Sequence, residues 1–265
     1  MTYIEWGDMM KLFVLNLGMV DVEASILDSR AVAGSRAKVP TWSLLIRHDK
    51  GNIVFDLGCM PNAMEEDGWR KSLREVMFYE HRPEETMEQQ LAYTGITAQE
   101  VDTVIVSHLH EDHFGNIAMF CHADVYVPKE HWIEQLVNTH IVADESKHDG
   151  YRWQLDLPVK AYHPIGIGED MEVISGVEIL TLPGHTSNLL GLCVHTQDKT
   201  WLFPSDCAYS PYNMEVLPGA CVDAMRYRDS INKIKAFQKK YNAEIVFSHY
   251  NKQFDELPKA PNELT

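Results

Sequence analysis

The sequence predicts an α/β fold, and three observations support that class. Nine short runs rich in β-branched and aromatic residues have the length of strands. Four longer segments carry the amphipathic pattern or the start signal of helices. The chain has 265 residues, is 45% hydrophobic and shows no linker, charge block or repeat, so one large core can form. We therefore expect a single domain over residues 1–265.

The predicted strands are bounded by turn residues and by longer irregular stretches. Asp49-Lys50-Gly51 predicts a hairpin between the second and the third strand. Gly18–Pro40 and Asn138–Asp170 lack strong periodicity and are predicted to be long loops, which are often lids, and Met1–Met9 is predicted to be a loose arm. In chain order the predicted strands are Lys11–Leu17, Trp42–Arg47, Asn52–Asp56, Val101–Ser107, Asp124–Pro128, Val177–Leu182, Gly191–His195, Trp201–Pro204 and Glu244–Ser248.

Helices are predicted at Gly68–Tyr79, Pro83–Thr94, Lys129–Val137 and Ala224–Tyr241. Pro83 suits the first position of a helix, where its missing N–H costs nothing. In the last segment apolar side chains recur near one face while the lysines lie mostly elsewhere, so this helix is expected to cover a sheet. Its apolar positions are Met225, Ile231, Ile234, Phe237 and Tyr241.

The segment Ser107–His113 holds three histidines and two acidic residues directly after the apolar run Val101–Val106. Imidazole and carboxylate are the usual ligands of zinc and related first-row metals. A structural site is expected to fill its coordination shell with protein, often thiolate, whereas a site rich in His and Asp leaves a position for water. The segment therefore predicts a catalytic metal site.

Three further apolar runs end in a side chain that can bind a metal, namely His185, Asp206 and His249. Ligands in layered α/β folds gather at one end of the sheet, because the loops there are free to carry polar groups. Two ions that share a bridging carboxylate and a bridging hydroxide need about seven protein ligands. The chain offers seven, which are His108, His110, Asp112, His113, His185, Asp206 and His249.

Composition and charge argue against some classes of function. The net charge of −16, from 23 basic and 39 acidic residues, disfavours nucleic acids and anionic membranes as partners. No run reaches the roughly 18 apolar residues that span a bilayer. Leu12–Val20 is interpreted as a strand and not as a signal sequence, because Asn16 interrupts it and acidic residues precede it. Five cysteines without a C-x-x-C pair suggest free thiols in a reducing compartment, and hence a cytoplasmic protein.

The motifs and their order resemble those of the metallo-β-lactamase superfamily. The resemblance rests on H-x-H-x-D-H at His108–His113, P-G-H-T at Pro183–Thr186, S-D at Asp206 and S-H at His249, and the surrounding strands extend it to most of the chain. It implies an αββα sandwich, in which two mixed β-sheets lie between helices. It also implies one metal held by His108, His110 and His185, a second held by Asp112, His113 and His249, and Asp206 as the bridge.

Within the superfamily the chain is most similar to the N-acyl homoserine lactone lactonases and related small lactonases. Asp206-Cys207-Ala208-Tyr209 matches their D-x-x-Y pattern, whose Tyr contacts the substrate, and the segment Ile53–Met60 is similar to their entry region. From the length of 265 residues we expect no additional glutathione-binding domain. The chain departs from these relatives at Phe114-Gly115-Asn116, where Gly-Gly-Asn is common, and at Tyr250, where Asp follows the last histidine. These departures leave the exact lactone open.

The resemblance implies a hydrolase that opens a small lactone such as an N-acyl homoserine lactone, and thus quorum quenching. A hydroxide that bridges two divalent ions, zinc or alternatively iron, manganese or cobalt, would attack the carbonyl. Tyr209 would donate a hydrogen bond to the carbonyl oxygen, and Asp112 would protonate the leaving alkoxide. The alternatives are another hydrolase on the same scaffold, acting on esters, thioesters or organophosphates, and an iron-dependent oxygenase. A homodimer is left open.

For several other residues, the sequence allows a purely structural role as well as a role in the site. Asp56 is either an acceptor that orients a metal-binding histidine or a turn residue before Gly58, and Cys207 is interpreted as a small buried filler. Candidates for a substrate cleft are Trp69, Phe78, Tyr79, Tyr151 and Trp153, although for Trp69 and Phe78 the apolar face of a helix is favoured. Scattered histidines are interpreted as ordinary, namely His81, His122, His131, His140, His148, His163 and His195.

Overall fold

The computed structural model describes residues 10–142 and 152–265, and two β-sheets lie face to face between layers of helices. Within these residues the larger sheet has seven strands and the smaller has five. Both sheets contain parallel and antiparallel neighbours, so the expected αββα sandwich is confirmed. The predicted arm Met1–Met9, His148 and Tyr151 lie outside the described residues.

Each predicted strand overlaps an observed one. The strands are β1 (Met10–Glu23), β2 (Arg36–His48), β3 (Gly51–Phe55), β4 (Phe78–Glu80), β5 (Thr103–Ile105), β6 (Asp124–Pro128), β7 (Ala161–Ile165), β8 (Met171–Ile174), β9 (Val177–Thr181), β10 (Leu190–His195), β11 (Thr200–Phe203) and β12 (Glu244–Ile245). The larger sheet has the order β4-β1-β2-β3-β5-β6-β7, and the smaller has the order β12-β11-β10-β9-β8.

The α-helices are α1 (Lys71–Arg74), α2 (Met87–Tyr93), α3 (Glu111–Phe114), α4 (Lys129–Val137), α5 (Arg152–Leu155), α6 (Ala224–Tyr241) and α7 (Asn251–Glu256). Single turns of 3-10 helix lie at Ala24–Ile26, Pro83–Glu85, Ala98–Glu100, Ile117–Phe120, Ser205–Cys207 and Pro211–Met214, and a π-helical turn lies at Asn138–Val142. The predictions of α4 and α6 are confirmed with their bounds.

Three apolar layers hold the sandwich together. Between the sheets, side chains such as Ile46 and Leu192 form a fully buried cluster. Outside the larger sheet, Leu91 of α2 and Trp132 of α4 belong to a second cluster. Outside the smaller sheet, Ile234 of α6 belongs to a third. Burial of these faces is the main favourable contribution to folding, and it holds the strand ends that carry the site in one rigid frame.

The prediction of a long loop at Gly18–Pro40 is wrong for about half of the segment, because Gly18–Glu23 belong to β1 and Arg36–Pro40 belong to β2. The register shifts between Asn16 and Met19, and Gly18 lies there at φ +94°, so the alternation of buried side chains is interrupted. A Cβ on Gly18 would lie 2.5 Å from the carbonyl oxygen of Glu80. One extra residue in β1 thus interrupts the alternation of buried and exposed side chains by which a strand is predicted from a sequence.

The prediction of a helix at Gly68–Tyr79 is largely wrong. Only α1 is helical, and Phe78–Glu80 form the edge strand β4 on Met19–Asp21 of β1. Trp69 is fully buried before α1, whereas Phe78 is 46% exposed, so these two residues do not share the apolar face of a helix. Pairing with a distant strand has overridden the local pattern.

Smaller differences have local causes. The predicted helix Pro83–Thr94 is interrupted at Thr86, whose hydroxyl accepts a hydrogen bond from the Gln89 N–H and starts α2. On α6, Met225 is 77% exposed and Tyr227 is buried in its place. The short elements β7, β8, α3, α5 and α7 were not predicted. Among the described helices, none combines the length and the apolar content that crossing a bilayer requires.

Candidate metal centre

The seven candidate ligands lie on loops and turns that follow strands of both sheets. His108 and His110 follow β5, and Asp112 and His113 lie in the first turn of α3. The remaining three follow β9, β11 and β12, so side chains from distant parts of the chain meet at one edge of the sandwich. Six of the seven are buried and His110 is half-buried; the full set is His108, His110, Asp112, His113, His185, Asp206 and His249.

One group of ligand atoms comprises His108, His110, His185 and Asp206. The Nδ1 atom of His110 lies 2.9 Å from His108 Nε2 and 3.1 Å from His185 Nε2. Oδ2 of Asp206 lies 3.7 Å from His108 Nε2 and 3.6 Å from His185 Nε2. Four potential ligand atoms therefore surround one point.

A second group comprises Asp112, His113 and His249. Oδ2 of Asp112 lies 3.5 Å from the Nε2 atom of each histidine. Oδ1 of Asp206 lies 3.4 Å from His113 Nε2 and 3.2 Å from His249 Nε2. The Asp206 carboxylate thus presents one oxygen to each group, as a bridging ligand would.

These distances fit two bound cations. Two atoms that each lie about 2.0–2.1 Å from a tetrahedral ion are about 3.3–3.4 Å apart, and the contacts within the groups span 2.9 to 3.7 Å. The Nε2 atom of His113 and Oδ1 of Asp206 are fully buried, and neither makes a hydrogen bond of good geometry to the described residues. Buried polar atoms without such a bond are costly unless an ion satisfies them.

The charges of the cluster also favour binding of a cation. Burial by itself would raise the pKa of the Asp206 carboxyl, but His113 and His249 hold that pKa well below its usual range. Burial would likewise lower the pKa of His113, but Asp206, Asp112 and Asp56 raise it well above its usual value. The carboxylates thus stabilise positive charge at this point, which a divalent ion supplies more strongly than a proton does.

Asp56 contacts a histidine of the cluster, which decides between the two interpretations of this residue. Its Oδ2 accepts hydrogen bonds from His113 Nδ1 at 2.8 Å and from the Ser107 hydroxyl at 2.9 Å, and its Oδ1 accepts one from the Ser107 N–H at 2.7 Å. Asp56 holds φ at +59°, in the left-handed region that Asp adopts more readily than most residues other than glycine. It therefore directs His113 Nε2 toward the second group.

Two backbone carbonyls orient other histidines, and no sequence motif indicates them. His185 Nδ1 donates to the Ala220 carbonyl at 2.9 Å, and His249 Nδ1 donates to the Pro40 carbonyl at 2.8 Å. Each of these bonds places the Nε2 atom toward the cluster.

Tyr209 lies over both groups. Its side chain is 3% exposed, its hydroxyl lies 3.2 Å from His185 Nδ1, and its ring lies 5.5 Å from that of His249. Burial and the nearby Asp206 carboxylate raise the pKa of the phenol well above its usual value. Tyr209 is therefore a neutral hydroxyl that can donate a hydrogen bond at any physiological pH.

A cavity of about 250 Å³ opens onto the cluster. Its volume lies just below the roughly 300–1,000 Å³ of sites for drug-sized ligands. The walls opposite the cluster are apolar and come from β1, β2 and the segments beside them, with Val20, Val22, Ile26, Leu27, Val39, Leu73 and Met77. Of the predicted cleft aromatics that the structure describes, none lines this cavity: Trp69 and Tyr79 are buried in a core cluster, and Phe78 and Trp153 are exposed.

One ion pair lies in the cavity wall. Glu111, between His110 and Asp112, is only 7% exposed and accepts a hydrogen bond of 2.9 Å from Arg70 Nη1. Among the described residues that line the cavity, Arg70 and Glu111 are the only charged groups outside the candidate ligand set. The pair was not predicted, because nothing in the sequence connects position 70 with position 111.

The fold and this centre define the class of protein. Residues 36–249 match the family model of the metallo-beta-lactamase superfamily, and the chain belongs to that superfamily.

Two curated relatives and one solved structure extend this result. The chain is 26% identical over 270 residues to the N-acyl homoserine lactonase AiiB of Agrobacterium fabrum, which covers 94% of this chain and 97% of that protein. It is 27% identical over 247 residues to the N-acyl homoserine lactonase AiiA of Bacillus thuringiensis subsp. kurstaki, covering 90% and 92%. A solved N-acyl homoserine lactone hydrolase, with the product N-hexanoyl-L-homoserine bound at its catalytic metal centre, superposes with a TM-score of 0.81 at 24% identity, covering 96% of this chain and 98% of that chain.

Proposed function

We propose that this protein is a metal-dependent hydrolase that opens the ring of N-acyl homoserine lactones. The observation that carries the proposal is the Asp206 carboxylate at the floor of a largely apolar cavity. Each of its two oxygens faces a separate group of histidines. The names of the curated relatives agree with this activity.

In this proposal the two groups of side chains each hold one divalent ion. His108, His110 and His185 would hold the first, Asp112, His113 and His249 would hold the second, and Asp206 would contribute to both. Ions bound in this way lower the pKa of water and polarise a carbonyl oxygen, so hydroxide is available near neutral pH. Zinc is the proposed ion, because histidine and carboxylate without thiolate are typical ligands of catalytic zinc.

Tyr209 and Asp112 supply the hydrogen bond and the proton transfer that the reaction needs. The neutral Tyr209 hydroxyl stabilises the negative charge that develops on the lactone carbonyl oxygen. Burial opposes ionisation of Asp112, but His113 and His249 lower its pKa to about 2, so this carboxylate is deprotonated at neutral pH. It can therefore accept the proton of the hydroxyl group that has added to the carbonyl carbon and pass it to the leaving alkoxide.

The cavity walls suit the rest of such a substrate. The apolar side chains from β1 and β2 would contact the acyl chain, and burial of each methylene there contributes about 0.8 kcal/mol. The Arg70–Glu111 pair is proposed to face the polar part of the acyl group, because a guanidinium is a strong donor to a carbonyl oxygen. A short acyl chain with an oxygen near the amide fits this combination best.

The test is a lactone panel that varies ring size, acyl length and 3-oxo substitution, assayed with protein whose metal content has been counted. We expect ring opening by protein with about two metal ions in the centre and loss of activity on chelation. A fully loaded preparation that opens none of the lactones would overturn the proposal. A single iron per chain together with oxygen consumption would favour the iron-dependent oxygenase instead.

Finer points belong to the same proposal. We propose that residues 1–265 form one domain, which a measurement of cooperative unfolding would test. We also propose that the protein is located in the cytoplasm, and the five unpaired cysteines support this location. A homodimer would be detected by light scattering. Nucleic acid is disfavoured as a partner by the net charge of −16.

A further inference from the structure

A second cluster of potential metal ligands lies on the smaller sheet, away from the centre described above. It consists of Glu178 on β9 and Cys193 and His195 on β10, and we call it the β9–β10 cluster. Cys193 is the cross-strand partner of Glu178, and His195 is two residues further along, so the three side chains share one face of the sheet. His195 is the last residue of β10, whereas His185 lies beyond the other end of these strands.

We propose that the β9–β10 cluster binds a divalent ion of the zinc type, with the Cys193 thiolate, the His195 imidazole and the Glu178 carboxylate as ligands and water completing the shell. One ligand atom from each residue lies within 4.8 Å of the other two. The combination of thiolate, imidazole and carboxylate is one that zinc and cobalt accept, and that magnesium and calcium do not.

The distance between sulfur and nitrogen supports this assignment. Cys193 Sγ lies 3.5 Å from His195 Nε2. A tetrahedral ion about 2.3 Å from sulfur and about 2.0–2.1 Å from nitrogen separates those two atoms by about 3.6 Å. An ion can therefore enter between them without a change of the backbone.

The imidazole is held in the orientation that a ligand needs. His195 Nδ1 lies 2.9 Å from the Thr200 hydroxyl, and the Tyr241 ring of α6 packs against the imidazole at 4.7 Å. These contacts direct Nε2 toward Cys193. Cys193 is fully buried and His195 is 6% exposed, while Glu178 is half-buried and leaves a route for the ion.

Charge balance is also favourable. One thiolate and one carboxylate neutralise a divalent ion, so no net charge is buried. Without an ion, burial and the Glu178 carboxylate raise the pKa of the Cys193 thiol to about 12, with Lys240 acting in the opposite direction. The thiol is then protonated, and binding of the ion releases one proton to solvent as the metal–sulfur bond forms.

Cobalt(II) loading tests the proposal independently of lactone hydrolysis. A cobalt–thiolate bond gives a strong near-ultraviolet charge-transfer absorption, and the seven candidate ligands of the main centre include no cysteine. We expect this absorption in the wild type and a cobalt content of about three per chain. Absence of the absorption in the wild type would show that Cys193 and His195 share only a hydrogen bond.

Two variants assign the absorption. Cys193→Ala should lose it and bind about one cobalt fewer, with ring opening retained, whereas Cys121→Ala, at a partly exposed thiol outside the cluster, should keep it. The same absorption in Cys193→Ala would overturn the proposal. If Cys193→Ala does not fold, Glu178→Gln replaces it in the test. We expect this variant to bind cobalt at least 10-fold more weakly when the absorption is titrated with cobalt. An unchanged affinity would contradict the assignment.

Discussion

Asp206 is the residue on which both groups of the metal centre depend. It follows β11 in a 3-10 turn, and Ser205 beside it holds φ at +48°. This backbone conformation is unusual for a residue other than glycine, and it turns the carboxylate so that its oxygens face separate groups of histidines. Strain at a site of this kind is tolerated because the surrounding strands are fully packed.

The first residue-scale prediction concerns Asp112. Asp112→Asn keeps the size of the side chain but removes its negative charge and its capacity to accept a proton. We expect kcat for lactone opening to fall by about 10²–10⁴-fold. The measurement is steady-state kinetics with metal content determined on the same sample. Asp198→Asn, in an exposed turn, is the control that should behave as wild type.

The second concerns the Tyr209 hydroxyl. Tyr209→Phe should lower kcat by about 100-fold with a small change in KM, because the lost donor acts in the transition state. Since the pKa of Tyr209 is held well above 10, its ionisation does not limit activity, and the alkaline limb of the pH profile should be the same in the variant. The exposed Tyr212→Phe serves as the comparison. An activity equal to wild type in Tyr209→Phe would remove this residue from the mechanism.

The third concerns selectivity at Arg70. Arg70→Met should lower kcat/KM for a 3-oxo-acyl lactone by about 10–100-fold. The variant loses the hydrogen bond from the guanidinium to the 3-oxo group, and a hydrogen bond to a charged group contributes about 1.5–3 kcal/mol. The unsubstituted lactone of equal chain length should change much less. Lys71→Met removes a positive charge from the neighbouring residue, which is exposed and does not line the cavity, so its selectivity should be that of the wild type. Equal losses on both substrates would refute the assigned contact.

At the scale of elements, helix α6 holds the loop that carries His185. The N–H groups of Val222 and Asp223 donate to the Gly184 carbonyl, and Gly184 lies at φ +136° against the backbone of Tyr227. The position of His185 in the metal centre therefore depends on the docking of α6 against the smaller sheet. The sequence predicts α6 correctly from its apolar face. It does not predict the contact between α6 and the loop that carries His185, because that contact joins distant parts of the chain.

Gly184→Ala tests this dependence. The new Cβ would lie 2.4 Å from the backbone of Tyr227, so the loop or α6 must shift. We expect a loss of stability of at least about 1–3 kcal/mol and lower metal occupancy, measured by denaturant unfolding and elemental analysis. Gly34→Ala shares a positive φ but has no atom within 4 Å of the new Cβ, so it should lose some stability and keep its metal. Equal metal content in both variants would argue against the coupling.

At the scale of the whole molecule, the metal centre joins the two sheets. His108 and His113 belong to the side of the larger sheet, and His185, Asp206 and His249 follow strands of the smaller sheet. Bound ions would therefore add a link between elements that already meet through the apolar layer between the sheets and through hydrogen bonds such as that from His249 Nδ1 to the Pro40 carbonyl.

Metal removal should weaken the whole sandwich and not the site alone. Each site saturated at about 1,000 times its dissociation constant contributes about 4 kcal/mol, provided the unfolded chain does not bind the ion. We expect chelation to abolish turnover and to lower the unfolding temperature in one cooperative transition. Calorimetry of loaded and chelated protein makes the measurement, and an unchanged unfolding temperature would contradict the role of the ions as a link between the sheets.

The sequence by itself determined the class of the fold, the set of candidate ligands and the bounds of α4 and α6. Periodicity reports which face of an element is buried, and the residue types and their spacing report the chemistry of a site. These signals are local, so they can be read without coordinates.

Only the tertiary structure decided which partners those elements and ligands have. The edge strand at Phe78–Glu80 is set by pairing with β1, and the orientation of His185 and His249 depends on the carbonyls of Ala220 and Pro40. The Arg70–Glu111 pair and the cavity walls likewise join positions far apart in the chain. Every residue has a backbone carbonyl, so no residue type indicates which carbonyl will orient a histidine. Long-range pairing depends on the packing of the whole sandwich, so it cannot be predicted from the local sequence either.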